Sequence, residues 1–229
     1  CVRLAAKEAD ETPRGVMVQD TAWDGYEEIP SWIMQGYGTM AMEAGEQLKE
    51  YGCERPTHIF VQAGVGSLAG AVVGYFSNLY ADNPPVFVVV EAEAAACLYK
   101  GAAAGDGQIR IVDGDMETIM AGLACGEPNT ISWDILKNHV KVFIAAPDWV
   151  AATGMRMLGA PIKGDAPVTS GESGAAPFGA LAAVMSMDEY AELRKDIGLD
   201  ENSRVLLFST EGDTDPDRYK NIVWKGLDK

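Results

Sequence analysis

Residues 85–90, Pro-Val-Phe-Val-Val-Val, form the segment that most limits what this chain can fold into. An unbroken run of β-branched and aromatic residues is typical of a strand that is buried on both faces, as in a parallel sheet covered by helices. Shorter apolar runs lie at residues 15–18, 58–61, 142–146 and 204–208. We therefore predict five strands in a parallel sheet.

Helical patterns separate these runs. The clearest begins near Pro30, where apolar residues recur at intervals of three and four, and Gly52 is placed to end the helix. The residues of this stripe are Ile33, Tyr37, Met40, Ala44, Leu48 and Tyr51. We interpret the stripe as a core-facing surface. Alternating strands and helices predict an α/β fold, a parallel twisted sheet with helices on both faces.

A glycine-rich loop, Gly64-Val-Gly-Ser67, lies between one predicted strand and the next helix. This arrangement directs backbone N–H groups at one point, which suits an anion such as a phosphate. Ser67 could cap the helix or donate its hydroxyl. The loop lacks the lysine of nucleotide-hydrolase phosphate loops and the glycine spacing of dinucleotide-binding loops. On its own it is equally compatible with a simple tight turn.

Polar residues follow several of the predicted strands. They are Asp20, Glu91, Glu93 and residues 209–213. Because right-handed crossovers bring the carboxyl ends of parallel strands to one edge, these groups and the glycine loop should converge on a small-molecule site. Simpler structural roles compete: Asp20 could form a turn or cap a helix, and the two glutamates could favour a helix dipole.

Composition excludes several classes of function. A net charge of −16 argues against nucleic-acid binding. No apolar run approaches the roughly 20 residues that span a bilayer, and the polar first residues do not form a secretory signal. We therefore expect a cytoplasmic protein with reduced thiols. The cysteines lack C-x-x-C spacing, which disfavours structural zinc, and a local disulfide between Cys97 and Cys125 stays open.

Four segments together resemble the fold-type II pyridoxal-phosphate enzymes. They are residues 62–69, 90–93, 171–175 and 208–213. Within that class, residues 19–37 resemble the diaminopropionate ammonia-lyases, with the sequence Gln-Asp-Thr-Ala-Trp-Asp-Gly-Tyr-Glu-Glu-Ile-Pro-Ser-Trp-Ile-Met-Gln-Gly-Tyr. The resemblance implies an incomplete fold of the tryptophan synthase β-subunit type. It also implies pyridoxal 5'-phosphate as cofactor, a small amino-acid substrate and a homodimer.

The resemblance assigns roles to individual residues. Asp20, together with Tyr26, would contact the substrate, and Asp20 could take part in proton transfer. Ser209 or its neighbour Thr210 would hydrogen-bond the pyridine nitrogen and leave it unprotonated. The implied reaction removes the α-proton and the β-amino group of 2,3-diaminopropionate, which gives pyruvate and ammonia. The implied cofactor-binding residues are Gly64, Val65, Gly66, Ser67, Leu68, Ala69, Ser209 and Thr210.

One departure from the family pattern matters. These enzymes bind their cofactor covalently through a lysine, and no lysine of this sequence lies in a matching pattern. We expect that lysine in an N-terminal part outside this sequence, with residues 1–30 as a linking remnant and residues 31–229 as the large domain. The chain alone would then be inactive. Two alternatives are a threonine or serine dehydratase-like lyase and a non-catalytic module or partner subunit that binds a phosphate ligand.

Overall fold

The computed structural model describes residues 2–228, and it confirms the α/β class. Cys1, whose thiol we expect to be reduced, and Lys229 lie outside the described residues. The strands are β1 (His58–Gln62), β2 (Val86–Ala92), β3 (Val140–Ala146) and β4 (Val205–Leu207). The helices are α1 (Val2–Glu11), α2 (Glu28–Glu50), α3 (Ser67–Leu79), α4 (Cys97–Ala104), α5 (Thr130–His139), α6 (Asp148–Gly159), α7 (Glu172–Ser186), α8 (Ala191–Ile197) and α9 (Pro216–Val223).

The four strands form one parallel sheet in the order β3-β2-β1-β4. Strand β1 lies inside the sheet, where Phe60 is level with Val88 of β2 and with Leu207 of β4. The carboxyl end of β1 is therefore flanked by the carboxyl ends of two neighbours. In a parallel sheet this is where ligands bind.

Both faces of the sheet are covered, as the apolar run of β2 predicts. On one face Ile59 and Val61 belong to a core with Phe76 of α3 and Leu136 of α5. On the other face Phe60 belongs to a core with residues of α6, α7 and α9. Side chains alternate between these two cores along β1 because successive strand residues point to opposite faces. Within residues 2–228, no helix is long and apolar enough to cross a membrane.

The predicted strand at residues 15–18 is wrong. This segment is extended but belongs to no strand, and Val16 and Val18 are 70% and 68% exposed. A four-residue apolar run needs a neighbouring strand to satisfy its backbone, and the four-stranded sheet offers it none. Asp20 therefore follows an irregular segment and not the end of a strand.

The apolar stripe on α2 faces the core only in part: Met40 and Ala44 are half-buried and pack on the core beside α3. The buried residues of this helix are Pro30, Met34, Ala41 and Gly45, whereas Tyr51 is 88% exposed. Small residues face α3 because the two helices pack closely, and a Cβ at Gly45 would contact the side chains of α3. As predicted, Gly52 follows the end of α2 in a left-handed conformation, with φ of 72°.

Two glycines allow α6 and α7 to pack backbone against backbone. A Cβ added to Gly154 would fall on the carbonyl oxygen of Ala175, and a Cβ added to Gly179 would fall on that of Val150. The carbonyl groups belong to the facing helix, so neither can move aside alone. This contact therefore excludes every side chain at both glycines.

We expect Gly179→Ala to lower the free energy of unfolding by about 2 kcal/mol or more, since the methyl group forces two packed helices apart. Gly36→Ala is the matched control, because a Cβ at that exposed position of α2 meets nothing within 4 Å. There alanine should raise stability by roughly 0.5–1 kcal/mol through its better helix propensity. Urea denaturation measures both values, and equal effects would contradict the packing argument.

Candidate active site

A cavity of about 380 Å³ lies at the carboxyl end of β1. Residues 62–68, which end β1 and begin α3, form one wall. The remaining lining residues come from distant parts of the chain and are Asp20, Tyr37, Gly122, Leu123, Cys125, Ser173, Thr210 and Glu211. The predicted convergence of Asp20, the glycine loop and residues after β4 is confirmed. Glu91 and Glu93 are not among the lining residues.

The N-terminus of α3 opens into this cavity. Gly66 precedes the helix with φ of 100°, a conformation that favours glycine, and no side chain caps the helix there. The first N–H groups of a helix have no carbonyl partner inside it. Residues 64–68 line the cavity, whereas Ala69 is fully buried behind it. These N–H groups therefore form a cup for an anion, as the glycine loop predicts.

Ser67 does not offer its hydroxyl hydrogen to a ligand. Its Oγ donates to the backbone carbonyl of Asp20 over 2.8 Å and accepts from the Nδ2 of Asn129 over 2.9 Å. This hydroxyl therefore neither caps the helix nor donates to a ligand, the two roles expected from the sequence. Ser67 ties the segment that carries Asp20 to the anion cup, and its own N–H stays at the helix start.

Asn129 completes the connection between the Asp20 segment and the anion cup, and no prediction from the sequence included this residue. Its fully buried side chain donates to the carbonyl of Asp20 at 2.5 Å as well as to Ser67. Its Oδ1 caps α5 by accepting from the N–H of Ser132, and its own N–H donates to the carbonyl of Val65. One asparagine thus joins three segments. An Asn-Thr pair before a helical pattern is a capping signature that could have drawn attention to it.

The two hydroxyl residues after β4 have different environments. Thr210 lines the cavity, and its Oγ1 accepts a hydrogen bond of 2.8 Å from the Nε2 of Gln62. Ser209 borders a separate groove, and its Oγ donates to the Oγ of the buried Ser170. Of the two residues expected to contact a pyridine nitrogen, only Thr210 lies where a ligand in the cavity could reach it.

Glu211 is a second functional candidate that the sequence analysis did not single out. Its Oε1 accepts hydrogen bonds from the N–H groups of Ser173 and Gly174, at 2.5 and 3.1 Å. Its backbone carbonyl accepts from the N–H of Gly171. Glu211 therefore caps α7 from outside and fixes the loop that carries Thr210. Side-chain caps from a distant segment leave no local sequence pattern.

Tyr26 is not among the residues that line the cavity, and its expected role in substrate binding stays a prediction. Its hydroxyl donates to the carbonyl of Met17 at 2.9 Å and accepts from the N–H of Gln19 at 3.1 Å. Its ring stacks on Trp23 with centroids 4.6 Å apart. Tyr26 therefore stabilises the turn that follows Asp20.

Asp20 contributes to the raised pKa values of two neighbouring groups. Burial, and then the negative charge of Asp20, raise the pKa values of Tyr37 and Cys125 above their usual range. Both groups therefore stay neutral at physiological pH. The described cysteines Cys53, Cys97 and Cys125 are free, so the disulfide left open between the last two is not formed.

Comparison with known proteins fits this geometry. The model of the family described as pyridoxal-phosphate dependent enzyme matches residues 1–211. The chain belongs to the pyridoxal-phosphate-dependent enzymes. This membership and the α/β fold confirm the resemblance to the fold-type II class.

Similar members of this family are diaminopropionate ammonia-lyases. The enzyme of Salmonella typhimurium is 54% identical over 226 residues, which are 98% of this chain but 56% of that protein. The Escherichia coli K12 enzyme is 49% identical over 225 residues, again 56% of its length. The chain thus spans little more than half the length of these relatives.

Solved structures agree. The Escherichia coli diaminopropionate ammonia-lyase in complex with an aminoacrylate-PLP azomethine reaction intermediate superposes with a TM-score of 0.89 at 46% identity, over 99% of this chain and 57% of that one. The threonine deaminase of Solanum lycopersicum, isoform 2 in its processed form, has a TM-score of 0.62 at 16% identity, over 84% of this chain and 50% of that one. The second likeness shows only the shared fold.

The cavity of this pyridoxal-phosphate-dependent enzyme fits its family's cofactor. The uncapped start of α3 suits the phosphate dianion, and the left-handed Gly66 turns the chain into the helix there. Thr210 lines the same cavity and offers a hydroxyl beside Gln62, at the end of β1. Within residues 2–228 the cavity is lined by two acidic residues, Asp20 and Glu211, and by no lysine or arginine, so a phosphate there would depend on backbone N–H groups.

Glu91 stabilises the fold next to the cavity without entering it. Its two carboxylate oxygens accept from the N–H groups of Leu98 and Tyr99, at 2.9 and 2.6 Å, which anchors the start of α4. The adjacent Cys97 directs its thiol at the carbonyl groups of Gly64 and Cys125. Burial raises the pKa of Glu91 to about 7, despite the two hydrogen bonds that lower it. Glu91 thus stabilises the start of a helix, as the structural alternative predicts, but from a buried position.

We expect Glu91→Gln to remove a pH dependence from stability. An unfolded glutamate has a pKa near 4.3, so the folded protein holds this proton more tightly. The stabilisation is complete below pH ~4.3 and is lost as the pH rises through about 7. It amounts to something on the order of 3 kcal/mol. Urea denaturation from pH 4.5 to 8 should show wild type losing stability relative to the variant.

Glu93→Gln provides the control, because Glu93 is exposed at the end of the same strand. Its unfolding free energy should follow that of wild type across the same pH range. A constant difference between wild type and Glu91→Gln at every pH would contradict the shifted titration of Glu91.

Proposed function

We propose that this chain forms the phosphate-binding and substrate-recognising part of an ammonia-lyase that eliminates ammonia from 2,3-diaminopropionate. The observation that carries the proposal is the attachment of Asp20 to the anion cup through Ser67 and Asn129, in one cavity that contains no cationic lining residue within residues 2–228. A substrate with two ammonium groups suits such a cavity. The similar diaminopropionate ammonia-lyases support the same substrate.

In the proposed mechanism, the backbone N–H groups of residues 64–68 would hold the cofactor phosphate. Thr210 donates its hydroxyl to the pyridine nitrogen. Bound pyridoxal phosphate supplies the electron sink for the electron pair released at the substrate α-carbon. Asp20 accepts hydrogen bonds from a substrate ammonium group and takes part in proton transfer to or from it. Tyr37, held neutral beside Asp20, adds no competing charge.

The complete reaction needs groups that this chain does not place in the cavity. No lysine of the described part of the chain, residues 2–228, lines it. We propose that an N-terminal part supplies the cofactor lysine, that residues 1–30 link to that part, and that residues 31–229 form the large domain. A homodimer in the cytoplasm belongs to the same proposal. The greater length of the similar lyases supports the additional part.

Substitution of Asp20 tests the substrate. In the complete gene product, Asp20→Asn should lower kcat/KM for 2,3-diaminopropionate by ~10²–10⁴-fold, since it removes the charge that pairs with the second ammonium group and the proton acceptor. Turnover of serine, which lacks that group, should fall less. Steady-state kinetics of pyruvate formation measures both.

Asp24→Asn is the matched control, since it removes one exposed carboxylate from the same segment. It should leave both rates near wild type. Unchanged diaminopropionate turnover in Asp20→Asn would refute the diamine assignment and favour the alternative of a threonine or serine dehydratase-like lyase, whose fold is shared.

A second experiment tests the position of the lysine. We expect this chain alone, incubated with pyridoxal phosphate and then borohydride, to acquire no site-specific lysine adduct, because the described part of the cavity presents none. Peptide mass spectrometry reports the modified residues. A single lysine labelled in high yield would show that the chain carries its own cofactor lysine. Phosphate-ligand binding without any elimination by the complete gene product would instead favour the non-catalytic alternative.

A further inference from the structure

Gln62 presents a buried amide at the floor of the cavity. It is the last residue of β1 and is 2% exposed. Its Nε2 donates to the backbone carbonyl of Phe208 at 2.9 Å and to the Oγ1 of Thr210 at 2.8 Å. Both hydrogens of this NH₂ group are therefore used on the segment that follows β4.

The partner at Phe208 fixes the orientation of this amide. A backbone carbonyl can only accept, so the group that faces it must be the NH₂ group of Gln62. The reversed amide would place two carbonyl oxygens against each other. The same NH₂ group contacts Thr210, and consequently the direction of that hydrogen bond is also fixed, with Gln62 donating.

The other half of the amide supports this interpretation. Within residues 2–228, the Oε1 of Gln62 is buried without a hydrogen-bond partner. A buried acceptor without a partner destabilises the folded state. An apolar residue at this position would avoid that cost but would also lose both donated hydrogen bonds. The donors are therefore what glutamine contributes here.

The Thr210 hydroxyl consequently has one free hydrogen. Since its oxygen receives a hydrogen from Gln62, its own hydrogen is available to an acceptor in the cavity. The neighbouring carboxylate of Glu211 is committed to the N–H groups of Ser173 and Gly174 through Oε1. Asp20 belongs to the segment attached at the anion cup.

We propose that Gln62 is a positioning residue that makes Thr210 a hydrogen-bond donor to the pyridine nitrogen and so keeps this nitrogen unprotonated. The inference rests on the proposed role of Thr210. A nitrogen that faces a donor uses its lone pair as an acceptor and does not hold a proton there. The neutral ring withdraws electrons less strongly, which favours rapid loss of a β-substituent over a long-lived carbanion.

Reversal of this hydrogen bond is the test. In Gln62→Glu a carboxyl oxygen replaces the NH₂ group and carries at most one hydrogen, which the Phe208 carbonyl accepts, so Thr210 donates to residue 62 and its oxygen becomes an acceptor toward the ring. In the complete gene product loaded with ring-¹⁵N-labelled pyridoxal phosphate, the nitrogen resonance should move to the protonated position at neutral pH. Gln108→Glu adds the same charge at an exposed position and should leave the resonance unchanged.

Two further variants keep the test decisive if Gln62→Glu does not fold. Gln62→Met removes the donors at similar volume and should move the resonance part of the way, since the Thr210 hydroxyl can then rotate. Thr210→Val should also shift it. A shift in Thr210→Val with none in either Gln62 variant would overturn the role of Gln62 alone. An unshifted resonance in Thr210→Val would overturn the ring contact, and this inference with it, while the Asp20 kinetics would still test the proposed function.

Discussion

The uncapped N-terminus of α3 is the constraint on which the site depends. Its N–H groups open into a cavity and need an acceptor, and the left-handed Gly66 turns the chain into the helix there. This cup lies at the carboxyl end of an internal parallel strand, so the segments after β1 and β4 meet beside it. The buried side chains of Ser67 and Asn129 then attach the Asp20 segment, which belongs to no strand. The backbone N–H groups of α3 thus form the anion site, and the hydrogen bonds of Ser67 and Asn129 hold Asp20 beside it.

Much of the fold could be predicted because it follows from local patterns. The apolar run of β2 predicts a sheet buried on both faces, and alternating strands and helices predict parallel order. The strand predicted at residues 15–18 fails because strand formation depends on a partner, which no local sequence reveals. The α2 stripe is confirmed only in part for a related reason: Met40 and Ala44 pack on the core, but close packing on α3 buries the small residues Ala41 and Gly45 more deeply.

The parts of the site that follow from the order of the parallel strands could be predicted from the sequence. Asp20, the glycine loop and Thr210 lie together as expected, although Asp20 arrives by a different route. Asn129 and Glu211 were missed because each acts on segments far away in sequence, through caps and carbonyl contacts. Tyr26 and Ser209 lie outside the cavity lining for the same reason. A residue type suggests which hydrogen bonds are possible, but only the fold decides which partners consume them.

The protonation of the Cys125 thiol, which lies in the cavity near Asp20, affects how a bound cofactor would fare there. Pyridoxal phosphate is an aldehyde, and a thiolate adds to aldehydes far more readily than a neutral thiol does, because the thiolate is the nucleophile. Burial and the charge of Asp20 raise the pKa of Cys125, so the sulfur that lines the cavity stays protonated. The carboxylate that we propose to bind substrate would thus act together with burial to protect an electrophile from the protein's own side chain.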